Sequence, residues 1–140
     1  MNLTLELFGD KWSLLIIRDI MFNGKRHFRE LLQSEEKIAS NILTDRLGKL
    51  ELEGIITKGP DPDHKQKHIY RLTPAGIDLL PLLTEIGAWS IKHRRVPVEL
   101  YPHALQLVQG GAQVQAAVRA ELNARHLGSP AESLPLVKPQ

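Results

Sequence analysis

The stretch from Lys37 to Lys58, KIASNILTDRLGKLELEGIITK, constrains the fold more than any other part of the chain. Leu43, Leu47 and Leu50 recur at i, i+4 and i+7, which predicts a helix with one buried face. At about 100° per residue, the opposite face carries Asn41, Asp45 and Gly48, flanked by Ser40 and Thr44. Gly54 supplies the left-handed residue that commonly ends a helix, and Ile55-Ile56-Thr57 begins an extended run. Such a segment must dock its leucine face on a core built by other elements. Its row of small hydrogen-bonding side chains then faces outward.

The chain before this stretch supplies a docking surface. Leu3, Leu5, Leu7 and Phe8 make an opening segment too short to be a stable helix alone, so it must pack on its own core or on a partner subunit. Asp10 is placed to cap a helix whose Trp12, Leu15, Ile16, Ile17 and Ile20 form a wide apolar face ending at Asn23-Gly24. Arg26-His27-Phe28 is read as one edge of a small sheet, and Phe28 to Gln33 as a short helix. A short helix, the polar connection Ser34 to Lys37 and the helix above make a helix-turn-helix pattern.

After Ile55-Ile56-Thr57-Lys58, a polar turn region from Gly59 to His68 leads to Ile69-Tyr70-Arg71-Leu72. Two strands joined by a basic tip are the hairpin, or wing, of a winged helix. Between Thr57 and Arg71, Lys58, Lys65, Lys67 and Arg71 outnumber Asp61 and Asp63. Thr73-Pro74 is a strong helix start. Ile77, Leu80, Leu83, Ile86 and Trp89 follow at helical spacing, with Pro81 as a kink or break and Lys92-His93-Arg94-Arg95 at the end. Val96-Pro97-Val98 reads as a linker. Pro102 to Val108 reads as one helix, Gly110-Gly111 as a separator, and the run with Val114, Val118 and Leu122 as another. From Gly128 the composition predicts a loose end.

The fold class expected is therefore α+β, mostly helical: a winged helix-turn-helix with a two- to three-stranded wing sheet and additional dimerisation helices. The domain limits expected are 1–95 for the winged domain, 96–127 for a helical extension and 128–140 for a flexible tail.

Composition narrows the chemistry. At 42% hydrophobic and 24% charged residues the chain has the make-up of an ordinary globular protein. With a net charge of only +2, the distribution of charge matters more than its sum. There is no cysteine, so disulfides, thiolate zinc sites and cysteine nucleophiles are excluded. No apolar run approaches the roughly 20 residues that cross a bilayer. A cytoplasmic location is the expectation, with no membrane partner, cofactor or metal. No HExxH, glycine-rich phosphate loop or serine–histidine–acid set points to an enzyme.

Several strings resemble one family. Gly9-Asp10-Lys11-Trp12-Ser13-Leu14-Leu15-Ile16-Ile17-Arg18-Asp19 is similar to the G-x-K-W-[ST]-x-L-I-L-R-[DE] opening of the HxlR-type regulators, winged-helix proteins related in fold to the MarR group. Arg26-His27-Phe28-Arg29-Glu30-Leu31 resembles their R-R-F-x-E-L. The run from Ile38 to Leu47 resembles their recognition helix, and Tyr70-Arg71-Leu72-Thr73-Pro74-Ala75-Gly76 their Y-x-L-T-x-x-G. Trp89 fits a late tryptophan. The resemblance spans roughly Leu3 to Trp89 and implies dimeric DNA-binding regulators, often repressors, that pair through the N-terminal and post-wing helices. Three features depart from it. Relatives commonly have a longer N-terminal arm with a sensing cysteine, a basic residue stands where this chain has Gly48, and the segment after Val96 is longer here.

On this reading Ser40, Asn41, Thr44 and Asp45 are the base-reading candidates. Asparagine pairs bidentately with adenine, aspartate accepts from cytosine, and hydroxyls serve base or phosphate. Periodicity alone fits a merely solvated face equally well. Arg26, Lys37, Arg46, Lys49, His64, Lys65 and Lys67 are the phosphate and wing candidates. Arg46 is equally read as a brace to Glu30 or Glu51, and the lysines as solubilising charge. Leu3, Leu7, Phe8, Leu83 and Ile86 are candidates for a homodimer interface. Trp12, Phe28 and Trp89 are read first as core and second as the lining of a small-molecule effector pocket. The function expected is sequence-specific binding of double-stranded DNA by a homodimer. The alternative is a winged-helix interaction module without base reading.

Overall fold

The computed structural model describes residues 2–94 and 102–128, with the backbone alone at 102–105. Its chain forms two compact units, Met1–Gly76 and Ile77–Gln140. The first holds α1 (Asn2–Phe8), α2 (Lys11–Phe22), α3 (Phe28–Leu32), α4 (Ser40–Leu52) and the antiparallel pair β1 (Ile56–Asp61) and β2 (His64–Leu72).

Each element follows from local chemistry. Asp10 caps α2, its carboxylate accepting from the backbone N–H groups of Trp12 (2.8 Å) and Ser13 (3.2 Å). Ile16, Ile17, Ile20 and Met21 of α2 are buried with Leu31 of α3 and Leu43, Leu47 and Leu50 of α4. The strand residues nearest the helices, Ile56, Ile69 and Leu72, complete this core. Helix α4 ends in a Schellman motif. Gly54 takes φ 78°, and the N–H groups of Ile55 and Gly54 donate to the carbonyls of Leu50 (2.9 Å) and Glu51 (3.1 Å). Thr73 then ties the junction together, its hydroxyl donating to the carbonyls of Gly54 and Ile55 and accepting from the Gly76 N–H. Gly76 must be glycine because a Cβ there would strike the Ile55 carbonyl.

Three expectations change. The helix expected directly after the connection ending at Lys37 starts at Ser40. Buried Ser34 takes the Lys37 N–H on its carbonyl (3.0 Å) and the Ile38 N–H on its hydroxyl (3.4 Å), forcing Lys37 to φ 58°. Arg26-His27-Phe28 does not form a third strand. Glu30 takes the N–H groups of Arg26 (2.8 Å) and His27 (3.0 Å), and the backbone bond to the sheet runs from the Tyr70 N–H to the Arg26 carbonyl (2.9 Å). The wing turn is also tighter than expected, at Pro62-Asp63. Pro60 pairs with His68 but Asp61 with His64, so Lys65, Gln66 and Lys67 bulge from β2 with no partner on β1.

Beyond the wing come α5 (Pro74–Ile77), α6 (Leu80–His93) and α7 (Pro102–Leu127). Pro81 sits in the first turn of α6, so the expected break is a helix start. Helices α6 and α7 pack together, and α7 is interrupted at Gly111 (φ 65°, ψ −154°) between buried Leu107 and Leu122. Arg95, the expected linker at Val96-Pro97-Val98 and the expected loose end past Gly128 lie outside the described residues.

Candidate nucleic-acid interface

Helix α4 separates its two faces cleanly. Leu43, Leu47 and Leu50 are 0%, 3% and 0% exposed, while Ser40, Asn41, Thr44, Asp45 and Gly48 are all exposed. The four polar side chains thus stand together on one outward surface. Lys49 is exposed on the last turn, and Lys37 lies exposed in the turn that precedes the helix.

Arg46 braces α4, as one of its two expected roles has it, but through other carboxylates. Its guanidinium bridges Asp10 (Nε–Oδ2, 3.3 Å) and Asp45 (Nη1–Oδ2, 2.7 Å), not Glu30 or Glu51. Glu30 is occupied by backbone N–H groups at the start of α3. The Asp10 carboxylate therefore caps α2 and anchors α4 at once. Partial burial would raise its pKa, but the Ser13 N–H, Arg46 and the Trp12 N–H outweigh that and hold it below the ordinary value. Asp45 gains a neighbouring cationic donor.

A second anchor holds the turn before α4. The Arg18 guanidinium donates to Glu36 through Nη1 (2.8 Å) and Nη2 (2.9 Å), and to buried Asp19 through Nε (3.1 Å) and Nη2 (2.8 Å). Asn23 and Lys25 also donate to the Asp19 carboxylate, at 2.8 Å and 3.3 Å. Glu36, paired with Arg18, is held below the usual carboxylate range, and Arg18 is raised chiefly by Glu36. Sequence reasoning missed this anchor because neighbours i and i+1 on a helix do not ordinarily face each other, and Glu36 is far along the chain. The arginine–acid end of the family-like opening string was the available signal.

The wing is held by one buried carboxylate. Asp61, read as a charge offsetting the basic tip, accepts from the Asp63 N–H (2.8 Å) and meets His27 Nε2 (2.7 Å). These bonds, the Asp63 one first, lower its pKa. His27 Nδ1 lies 3.3 Å from Glu30, so the wing tip is linked to the start of α3. Glu30 is lowered first by the Arg26 N–H and then by His27. With Asp61 withdrawn, His64, Lys65 and Lys67 stand exposed on the tip strand and Arg26 at its base.

The interface candidates are left open to solvent. No residue of α1 is buried; Leu3 is 81% exposed, and Leu7 and Phe8 are half-buried. On α6, Ile86 is exposed and Leu83 half-buried, with Leu82 and Trp89 also exposed. Trp89 is therefore not core, as first read, but an exposed ring 5.1 Å from that of His93. Trp12 is half-buried under the Lys11 ammonium (4.6 Å), and Phe28 borders a cleft between α3 and the wing. No helix among the described residues is long and apolar enough to cross a membrane.

Comparison with known proteins places this geometry. The sequence model described as HxlR-like helix-turn-helix matches residues 7–97. The chain is 31% identical over 85 residues to the uncharacterized HTH-type transcriptional regulator YvaP of Bacillus subtilis, spanning 61% of this chain and 78% of that one. It is 31% identical over 90 residues to the HTH-type transcriptional regulator YodB of the same organism, spanning 64% and 80%. The structure of reduced YodB superimposes with a TM-score of 0.56 at 30% identity, over 66% of this chain and 90% of that one. The crystal structure of PA1607 superimposes with a TM-score of 0.61 at 38% identity, over 66% of this chain and 63%, under two thirds, of the other.

Proposed function

The chain belongs to the HxlR-like helix-turn-helix family of transcriptional regulators, and from that premise we propose that it represses transcription by binding a pseudo-palindromic operator as a homodimer. The family is one of regulators rather than enzymes, and its helix-turn-helix implies DNA binding. The observation that carries the finer reading is helix α4, whose leucine face is buried while Ser40, Asn41, Thr44 and Asp45 project outward together. Those four read bases in the major groove. Arg26, Lys37, Lys49, His64, Lys65 and Lys67 lie against phosphates and set register, with Arg46 positioning α4 through Asp10.

The exposed apolar side chains of α1 and α6 support pairing of two copies through those helices. The match ending at residue 97 supports 1–95 as the regulator domain, with 96–127 as an extension. Two α4 helices about 34 Å apart would enter successive major grooves. A dimer spanning a promoter there excludes polymerase, which is the basis for repression in the cytoplasm.

The test replaces Asn41 with alanine. Affinity for the operator falls by about 1–3 kcal/mol while affinity for random duplex is unchanged. Equal loss on both duplexes, or loss on neither, overturns the assignment. Gly48, small and exposed at the centre of the outer face, favours one rival, an interaction module that reads no bases. A mobility shift with bulk DNA at low salt counts against that rival.

A further inference from the structure

The cleft between the start of α3 and the wing enters the reading above only through Lys67. It encloses about 410 Å³, and Arg29, Lys58, Gln66, Lys67, His68 and Tyr70 are among its lining residues. Arg29, Lys58 and Lys67 are exposed cations from three separate segments, and none has a carboxylate partner among the described residues. One carboxylate, Glu30, shares that lining and a second, Asp61, holds the wing turn, but both are committed. Glu30 holds the N–H groups of Arg26 and His27, and Asp61 holds the Asp63 N–H and His27. Turning either toward the cations would uncap α3 or open the wing turn. The cleft therefore gathers three cations without ion-pair partners among the described residues beside one committed carboxylate, with Gln66 and Tyr70 also in its lining.

We propose that this cleft seats a backbone phosphate of the DNA, outside the bases that α4 reads, with Arg29, Lys58 and Lys67 as its ligands. A guanidinium fork and two ammonium groups suit a phosphate oxyanion, the fork supplying direction and the lysines charge. The walls come from α3, the helix that crosses the DNA backbone in a helix-turn-helix, and from the wing that flanks it. The inference rests on the proposed function and extends the contact surface to Arg29 and to Lys58, which was counted in the wing's positive excess but not among the phosphate candidates.

The experiment uses the full chain and the double variant Arg29→Gln/Lys58→Gln, whose exposed positions leave the thermal midpoint unchanged. Affinity is measured from 50 to 200 mM salt on two duplexes, one extended by a helical turn on each side of the operator and one trimmed to the bases read. On the extended duplex, with one seat per subunit of the dimer, the slope of log K against log salt becomes shallower by about 1.8, so affinity falls roughly twelvefold less over that range. The trimmed duplex shows no such difference between the two proteins. An unchanged slope on the extended duplex overturns the phosphate seat and leaves the proposed function standing. Failure of the wild-type chain to bind either duplex overturns both. Inorganic phosphate is the third probe, followed by NMR of the arginine side chains. If it perturbs Arg29 while both duplexes respond alike to the variant, the occupant is a free phosphate ligand and the assignment to DNA fails.

Discussion

Helix α4 and the distal wing are offered to the same partner, yet they are held in opposite ways. Helix α4 buries three leucines and is braced by Arg46 to the cap of α2, with Arg18 and Glu36 fixing the turn before it. In the wing from Pro60 to His68, Asp61 alone is buried, and three residues bulge without partners. A buried leucine contributes roughly 2 kcal/mol, so the helix has several times the apolar anchoring of the tip. The difference matches the work proposed for each. Base reading by Asn41 needs hydrogen-bond geometry held to fractions of an ångström, whereas Lys65 and Lys67 need only bring charge near phosphates. Rigidity sits where recognition is directional, and mobility is tolerated where it is Coulombic.

The largest expected effect tests that asymmetry of support. Leu47→Ala should lower global stability by about 2–5 kcal/mol in denaturant melts. Asp61→Asn should leave the global midpoint nearly unchanged and speed amide exchange in the wing alone. Equal global losses would break the comparison, because the tip would then belong to the same cooperative unit as α4.

Next in size is Gly48→Ala. Space around this position is open and its backbone is not left-handed, so alanine should stabilise α4 by about 1 kcal/mol. DNA affinity should hold if side chains do the reading. A fall in affinity with a rise in stability would mean that the α4 backbone itself approaches the duplex.

The smallest effect concerns acid. Glu36 is held below its ordinary value of 4.5 by Arg18, and a depressed carboxylate contributes stability that is present above the ordinary value and lost as pH falls through the lowered one. Thermal midpoints of the wild type should thus be flat above about pH 5 and decline below. Glu36→Gln should cost up to about 1 kcal/mol at pH 7 and make the acid decline shallower. Identical pH profiles would show that the turn before α4 does not depend on this pair.

How much of this was legible in the sequence depends on the range of each interaction. The leucine spacing of α4, the Asp10 cap, the Gly54 stop and the Thr73-Pro74 start all act within about one helical turn, and each stands where the residue pattern places it. Lys37 did not announce its positive φ, because buried Ser34 imposes it. The Arg18–Glu36 and His27–Asp61 links join side chains that only the folded core brings together. For the same reason, charge counting placed Asp61 against the wing lysines although it is turned away to hold the turn. Asn41 and its neighbours were legible as an outward face; the cleft of Arg29 and Lys58 needed α3 and β1 to be brought together first.

The most direct test of the central claim is selection of bound sequences from a random duplex pool by the full chain. The account predicts enrichment of an inverted repeat whose half-site centres lie about 10 base pairs apart, one turn of the duplex. It also predicts that Asn41→Ala, carried through the same selection, loses discrimination at one symmetric pair of positions. Enrichment of no sequence, or of a single asymmetric element that Asn41→Ala leaves intact, would contradict it.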